Sequence, residues 1–253
     1  MIQLKNAQEL AKMRRACQIS AEALKLGGRS IEAGMTTADL DKIIYDYIKQ
    51  HGARPNFKGL YGFPGTACIS INDEVIHGIP SHSRQIRPGD IVSIDTGAAI
   101  NGFNGDNACT FPCGKVDIEA QRLMDVTKES LHRGIAAAVA GNRVGDIGHA
   151  VQSYVEENGF SVVRSFVGHG VGKELHEDPE VPNYGHAGHG VRLVNGMTIA
   201  IEPMVNQKHH SVKTLSDGWT VVTADGGLAA HFEHSIAILP GGPEILTIGW
   251  EEP

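Results

Sequence analysis

The sequence predicts an α+β fold in which helices cover one face of an antiparallel-rich sheet, and in which two halves repeat one another about a pseudo-twofold axis. In each half, apolar residues at helical spacing come first and strand-like apolar runs follow, an order that segregates helices from strands. There is also an internal repeat, at a fixed offset of 107 in the numbering. By that step Gly34, Asp39, Leu40, Ile44, Tyr47, Ile48 and Gly52 become Gly141, Asp146, Ile147, Val151, Tyr154, Val155 and Gly159. The same step takes Gly89 to Gly196, and the apolar run ending at Asp95 to the run ending at Glu202. Each half is therefore expected to present a carboxylate at the end of an apolar strand. No Pro/Ser-rich linker separates the halves, so residues 1–253 are read as one domain, divided at roughly 1–110 and 111–253.

Along the chain, Asn6 with Glu9 three residues later fits a capping box, and Leu10, Met13, Cys17 and Ile19 to Ala21 give the first helix an apolar face. The second helix follows Gly34 and the cap candidates Thr36 and Thr37. Leu40, Ile43, Ile44, Tyr47 and Ile48 form its stripe, and Gly52 ends it. The stretch from Gly141 to Gly159 copies that helix. Strand-like runs at 91–95, 104–111, 162–167, 198–202, 219–223 and 232–238 are separated by Gly, Pro and Asn.

Composition narrows the function. A chain of 253 residues, 41% hydrophobic and 20% charged, allows a sizeable core. With 22 Lys+Arg against 29 Asp+Glu the net charge is −7, and no basic run exceeds Arg14-Arg15, which argues against nucleic-acid binding. Cys17, Cys68, Cys109 and Cys113 read as reduced structural thiols. The N-terminal segment is not that of a signal peptide, and no window approaches the roughly 18 apolar residues of a membrane span. A cytoplasmic location is expected.

Five positions carry the chemistry. They are Asp95 in Ile94-Asp95-Thr96-Gly97, Asp106 in Gly105-Asp106-Asn107, His169 in Gly168-His169-Gly170, Glu202 in Ile201-Glu202-Pro203, and Glu233 in Phe232-Glu233-His234. Taken singly, an acid in an apolar strand is usually a cap or a satisfied polar residue. Four together need compensation, because an unpaired buried charge costs several kcal/mol, and no matching set of Lys or Arg accompanies them. Two divalent cations would balance the four carboxylates, with His169 as a neutral nitrogen ligand. Rival motifs are missing: there is no Gly-x-Ser-x-Gly, no HExxH and no Walker Gly-Lys-Ser/Thr ending. His186, His189, His209 and His210 lie in polar stretches and read as solvated loop residues.

The order Asp, Asp, His, Glu, Glu, with these flanks, resembles the methionine aminopeptidases of the pita-bread fold over nearly the whole chain. Cys68-Ile-Ser-Ile-Asn72 leading to His77-Gly78-Ile79-Pro80, and Gly168-His169-Gly170-Val171-Gly172 leading to His176-Glu177-Asp178-Pro179, extend the resemblance. The interval from His176 to Glu202 is short, which matches the type I form without the helical insertion of type II enzymes.

The resemblance implies that Asp106 and Glu233 bridge two divalent metal ions, that Asp95 chelates one, and that His169 with Glu202 completes the other. Such a donor set accepts Mn, Fe, Co or Zn. It also implies that Glu202 accepts a proton from water activated between the metals. His77 and His176 would contact the scissile amide and the developing oxyanion. The substrates would be the N-termini of nascent proteins and peptides with a small second residue, and the ribosome would be a partner.

Some positions depart from the family pattern. Phe63 and Leu175 stand where the methionine pocket often has Tyr and Phe, Phe57 and Leu60 replace other common residues, and Cys68 and Trp219 remain. His231 stands where Gln is frequent. Two other readings go with the same fold: a proline-directed aminopeptidase, which usually carries an added N-terminal domain, and a binding module that has lost catalysis.

Overall fold

The computed structural model describes residues 1–250. Helix α1, Ala7–Arg29, begins where the Asn6 side chain accepts from the backbone N–H groups of Gln8 and Glu9 while the Glu9 carboxylate accepts from Asn6 N. This reciprocal box satisfies N–H groups that a helix start leaves without intrahelical partners. Helix α2, Thr37–Gln50, starts on the equivalent box of Thr36 and Asp39. Helix α3, Ile118–Ala137, is capped by Asp117, and α4 spans Val144–Glu157.

The repeat is visible in the backbone. Helix α4 is α2 moved along the chain by the repeat offset at both ends, with Thr37 mapping to Val144 and Gln50 to Glu157. Thr36 bridges to Gln85 and Arg143 to Arg192, the same offset on both sides of the bridge. Gly34 N donates to Ile86 O at 2.8 Å, and Gly141 N to Leu193 O at 2.9 Å. The duplicated sequence thus encodes duplicated contacts as well as duplicated helices.

The main sheet has nine strands, and all its pairings are antiparallel. Along its path run Arg54–Pro55, Ile91–Ile100, Phe103–Pro112, Glu233–Leu239, Thr198–Ile201, Gly168–Gly170 and Glu177–Val181. Ala67–Ile71 also pairs with Ile91–Ile100, and Gly242–Ile245 with Glu233–Leu239. A small sheet joins Ser161–Val162, Met204–Asn206 and Ala229–His231, and another joins Glu74–Ile76, Val221–Thr223 and Val212–Thr214.

The expected strand at 162–167 is mostly irregular, since only Ser161–Val162 pairs before Gly168–Gly170. The expectation that each half ends a strand on its carboxylate holds only in the second half. The first-half strand runs through Asp95 to Ile100. Its copy stops at Ile201 and resumes at Met204, because Pro203 has no N–H to donate to a ladder.

Helices α1 and α2 pack on the first-half strands, and α3 and α4 pack together over the second-half strands. The backbones approach closely at Gly105, where a Cβ would lie 2.5 Å from both N and Cα of Cys17 in α1. Side chains alternate along a strand, so with Gly105 against α1 the next residue, Asp106, faces away from the helices. Among the described residues no helix is long and apolar enough to cross a membrane.

The Gly105 contact yields a stability test. Gly105→Ala should push α1 off the Phe103–Pro112 strand and destabilise the fold by about 1–3 kcal/mol, the usual cost of overpacking. A denaturant titration checks this, and an unchanged midpoint would show that α1 is not seated on that glycine.

Candidate active site

Strand register assembles the site. Cys68 pairs with Asp95, Asp95 with Ala108, and Ala108 with Glu233, so these four residues form one row across adjacent strands. His234 pairs with Ile201 and Ser235 with Ala200. Continuing that register by one residue sets Glu202 beside Glu233 and extends the row. Residues opposite one another in a ladder project to the same face, with strands about 4.8 Å apart. Asp106 joins them, being two residues from Ala108. His169 comes from the neighbouring strand, where Gly170 pairs with Ile199. Ala108 and Ala200 are fully buried and leave room above the sheet for longer side chains.

Two side-chain clasps fasten the strand bearing Asp106 to the segment bearing Glu233. Ser235 Oγ accepts from Asp106 N at 3.2 Å and donates to Asp106 O at 2.7 Å. Thr110 Oγ1 accepts from His231 N at 2.9 Å and donates to His231 O at 3.0 Å. Beyond Glu202, Asn183 Nδ2 donates to Glu202 O at 3.0 Å and fixes the interrupted strand.

Ligand atoms of Asp106, His169 and Glu233 all lie within 4.8 Å of one another. His169 Nε2 is 3.7 Å from Asp106 Oδ2 and 3.6 Å from Glu202 Oε1. His169 Nδ1 lies 2.8 Å from Gly170 O, so its hydrogen belongs on Nδ1 and the Nε2 lone pair points to the acids. Burial holds this imidazole at a pKa of about 4, so it is neutral near pH 7.

Burial drives the carboxyl pKa values of Asp95, Glu202 and Glu233 well above their ordinary range, and the charge of Asp106 pushes each further. Burial raises Asp106 as well. One oxygen each of Asp95, Asp106 and Glu233 is buried without a hydrogen-bond partner. Among the described residues no Lys or Arg lines the cavity. A cluster rich in acceptors and poor in donors is costly as it stands, and it fits divalent cations.

The acids floor a cavity of about 530 Å³. Its apolar end is a cluster of Phe57, Phe63, Cys68 and Leu175, with Leu60, Ile79 and Trp219 packed against it. Phe63 meets Trp219 edge-on at 5.2 Å. His77 stands between this end and the acids, edge-on to Phe166 at 5.7 Å and to Trp219 at 6.3 Å. Burial holds His77 at a pKa of about 4, with His176 contributing. His176 packs at 4.4 Å on His169, and partial desolvation lowers its pKa.

The expected ligands, the two expected active-site histidines and the expected slot residues therefore line one cavity: Asp95, Asp106, His169, Glu202 and Glu233; His77 and His176; Phe63, Cys68, Leu175 and Trp219. His231 is buried beside the acids, its Nε2 3.9 Å from Glu202 Oε2. His186, His189 and His209 are exposed and His210 half-buried, and the four cysteines are buried thiols.

Sequence reasoning missed Tyr61, exposed at the mouth and 6.4 Å from His176, and Phe166 beside His77. It also missed the first strand of a hairpin, Val212–Thr214, that spacing could have signalled, the second strand falling within the expected run at 219–223. The interval from Asp106 to Glu233 exceeds the repeat offset, and the second half uses the surplus for the hairpin of Val212–Thr214 and Val221–Thr223. That hairpin pairs with Glu74–Ile76, just before His77, and its turn carries Trp219.

Comparison with known proteins places this geometry. Residues 11–240 match metallopeptidase family M24. The chain is 55% identical to a methionine aminopeptidase of Clostridium perfringens, covering 98% of this chain and 99% of that one. It is 51% identical to methionine aminopeptidase 1 of Bacillus subtilis, again over 98% and 99%. The structure superposes on a methionine aminopeptidase of Thermotoga maritima with TM-score 0.96 and 45% identity, covering 98% and 99%. A prolidase of Pyrococcus furiosus shares the fold at TM-score 0.79 and 23% identity, with 65% of its length covered.

The raised carboxyl pKa values set a pH dependence for the cation-free protein. An acid whose folded pKa lies above its unfolded value contributes stability below the unfolded pKa and loses it as pH rises through the folded one. The unfolded acids titrate at about 4, and burial raises Asp106 to about 7. Protein stripped with a chelator should therefore lose melting temperature as pH rises across that window, while cation-loaded protein resists the loss. Paired melting curves check this, and a gap that shrinks as pH rises would contradict it.

Proposed function

The chain belongs to metallopeptidase family M24 and, within it, to the methionine aminopeptidases, and from that premise we propose how its residues divide the work of cleaving an initiator methionine from other proteins. The observation that best supports the reading is the row of acids on one sheet face, with the His169 lone pair aimed at them and no Lys or Arg among the described residues lining the cavity. Asp106 and Glu233, central in the cluster, would bridge two divalent cations. Asp95 would complete one, and His169 with Glu202 the other. Such cations lower the pKa of water and polarise a carbonyl oxygen.

The chain's own groups do the rest. Glu202 is the proposed proton acceptor, since burial and the charge of Asp106 raise its affinity for a proton. His77 and His176, held neutral, offer N–H donors to the scissile amide and to the oxygen that gains charge. The slot formed by Phe63, Cys68, Leu175 and Trp219 takes an unbranched, polarizable thioether. The free α-amine lies beside the acids, and the second residue lies against the cation cluster, where only a small side chain fits. We treat residues 1–253 as one catalytic domain whose halves each supply ligands, Asp95 and Asp106 from one and His169, Glu202 and Glu233 from the other. It acts in the cytoplasm on newly made chains, with the ribosome as a partner.

His77→Ala should keep its full complement of metal yet lose roughly 10²-fold in rate, the scale of a positioned donor or acid/base. Metal analysis beside steady-state kinetics separates the two, and a variant whose only defect was weaker metal binding would move His77 into the ligand shell.

Substrate choice tests the function as a whole. Met-Ala-Ser should be cleaved well, Leu-Ala-Ser less well, and formyl-Met-Ala-Ser and Met-Lys-Ser poorly. An apolar slot discriminates by only about 1–3 kcal/mol per methylene, whereas exclusion of a large second residue is sharper. Equal turnover of Met-Ala-Ser and either poor substrate would sink the assignment.

A further inference from the structure

His176 reaches the cavity from a segment with no regular structure of its own, residues 171–176, between the strands Gly168–Gly170 and Glu177–Val181. His176 is exposed, so its aim depends on what holds the segment's ends. Asn104 holds the first end. Its backbone N and its Nδ2 donate to Gly172 O at 2.8 and 3.0 Å, and Nδ2 also donates to Lys173 O at 2.9 Å.

The second end is held by a buried ion pair. Glu177 directly follows His176, and its Oε2 accepts from Lys5 Nζ, with side-chain exposures of 3% for Lys5 and 6% for Glu177. The other carboxylate oxygen, Oε1, accepts from Glu174 N at 3.2 Å. Lys5 is itself anchored: its N donates to Gly196 O at 2.7 Å and its Nζ to Gln3 O at 2.9 Å. The packing is tight, since a Cβ on Gly172 would fall 2.5 Å from Lys5 Cε and 2.6 Å from Glu177 Oε1. By contrast, the nearby Lys173–Glu9 pair at 3.2 Å is solvent-exposed on the lysine side and therefore weak.

We infer that Lys5, which does not line the cavity, is a positioning residue for His176: its buried pair with Glu177 ties the start of α1 to the segment that presents the histidine. Removing one partner of a buried pair leaves an uncompensated charge. Without Lys5, Glu177 turns toward water, and the backbone one residue away carries His176 with it. A misplacement of about 1 Å in a catalytic group is enough to cost up to 10²-fold in rate.

This inference rests on the role proposed above for His176, and the test keeps the two apart. Lys5→Met, His176→Ala and the double variant are assayed for kcat, KM and bound metal at a temperature where all are folded. Lys5→Met should lower kcat about tenfold or more, within the range for a displaced catalytic group, with KM and metal content little changed. In the His176→Ala background the same change should cost almost nothing further, because both act through one group. If His176→Ala alone leaves kcat intact, the proposed role of His176 fails. If His176→Ala is impaired but Lys5→Met stays within about twofold of the parent, or if the two losses multiply, the positioning role fails. Should Lys5→Met not fold, Lys5→Gln, which keeps much of the reach and loses the charge, runs through the same cycle with the same expected and overturning results.

Discussion

Four carboxylates crowded on one face of a sheet, with no Lys or Arg among the described residues that line their cavity, are the constraint around which this molecule is arranged. Asp106 and Glu233 are buried and Asp95 and Glu202 half-buried, and the charge of Asp106 makes the ionisation of the other three harder. Such a cluster survives only in a scaffold stable enough to carry the cost, and only if something of opposite charge relieves it. The scaffold's answer is rigidity on the opposite face. Helix α1 sits against the strand backbone at Gly105, so the residue that follows is forced toward the acids. The clasps made by Ser235 and Thr110 then fix the strands on either side of Glu233 with hydrogen bonds that cannot slide by a register step.

Duplication supplies the symmetry, and its departures supply the chemistry. The carboxylates that accept at the starts of α2 and α4, Asp39 from Thr36 N and Asp146 from Arg143 N, the two bridges and the paired backbone hydrogen bonds repeat at a common offset. Where the copies differ, the differences lie at the cavity. Pro203 interrupts the second-half strand just after Glu202 and frees that carboxylate from a regular ladder. The extra length before Glu233 becomes the hairpin that carries Trp219 and braces the strand leading to His77. His77 itself sits at φ +60°, a conformation that costs a non-glycine residue about 1–3 kcal/mol and persists only where its surroundings impose it. The surroundings do so through Gly78, whose missing side chain lets the backbone pass where a Cβ would lie 2.2 Å from Ile69 O.

Much of this was legible in the residues alone. The capping residues Asn6, Glu9, Thr36 and Asp39 act within one turn of chain, so local chemistry sufficed to place two helix starts. The repeat was legible because it is a property of the sequence itself. The cluster of acids was legible because four acids embedded in apolar strands have few structural explanations. What only the tertiary structure decided depends on contacts between distant segments. No local signal says that Cys68, Asp95, Ala108 and Glu233 share one cross-strand row, since register is set by pairing across the sheet. Nor does spacing show that Asp95 lies inside a strand that continues to Ile100, that Phe166 leaves the expected strand to pack on His77, or that Lys5 reaches Glu177 from the far end of the chain's first half. Composition and periodicity fix which groups must be buried together; which of them touch is settled by packing, because the energy of a buried charge depends on its neighbours in space.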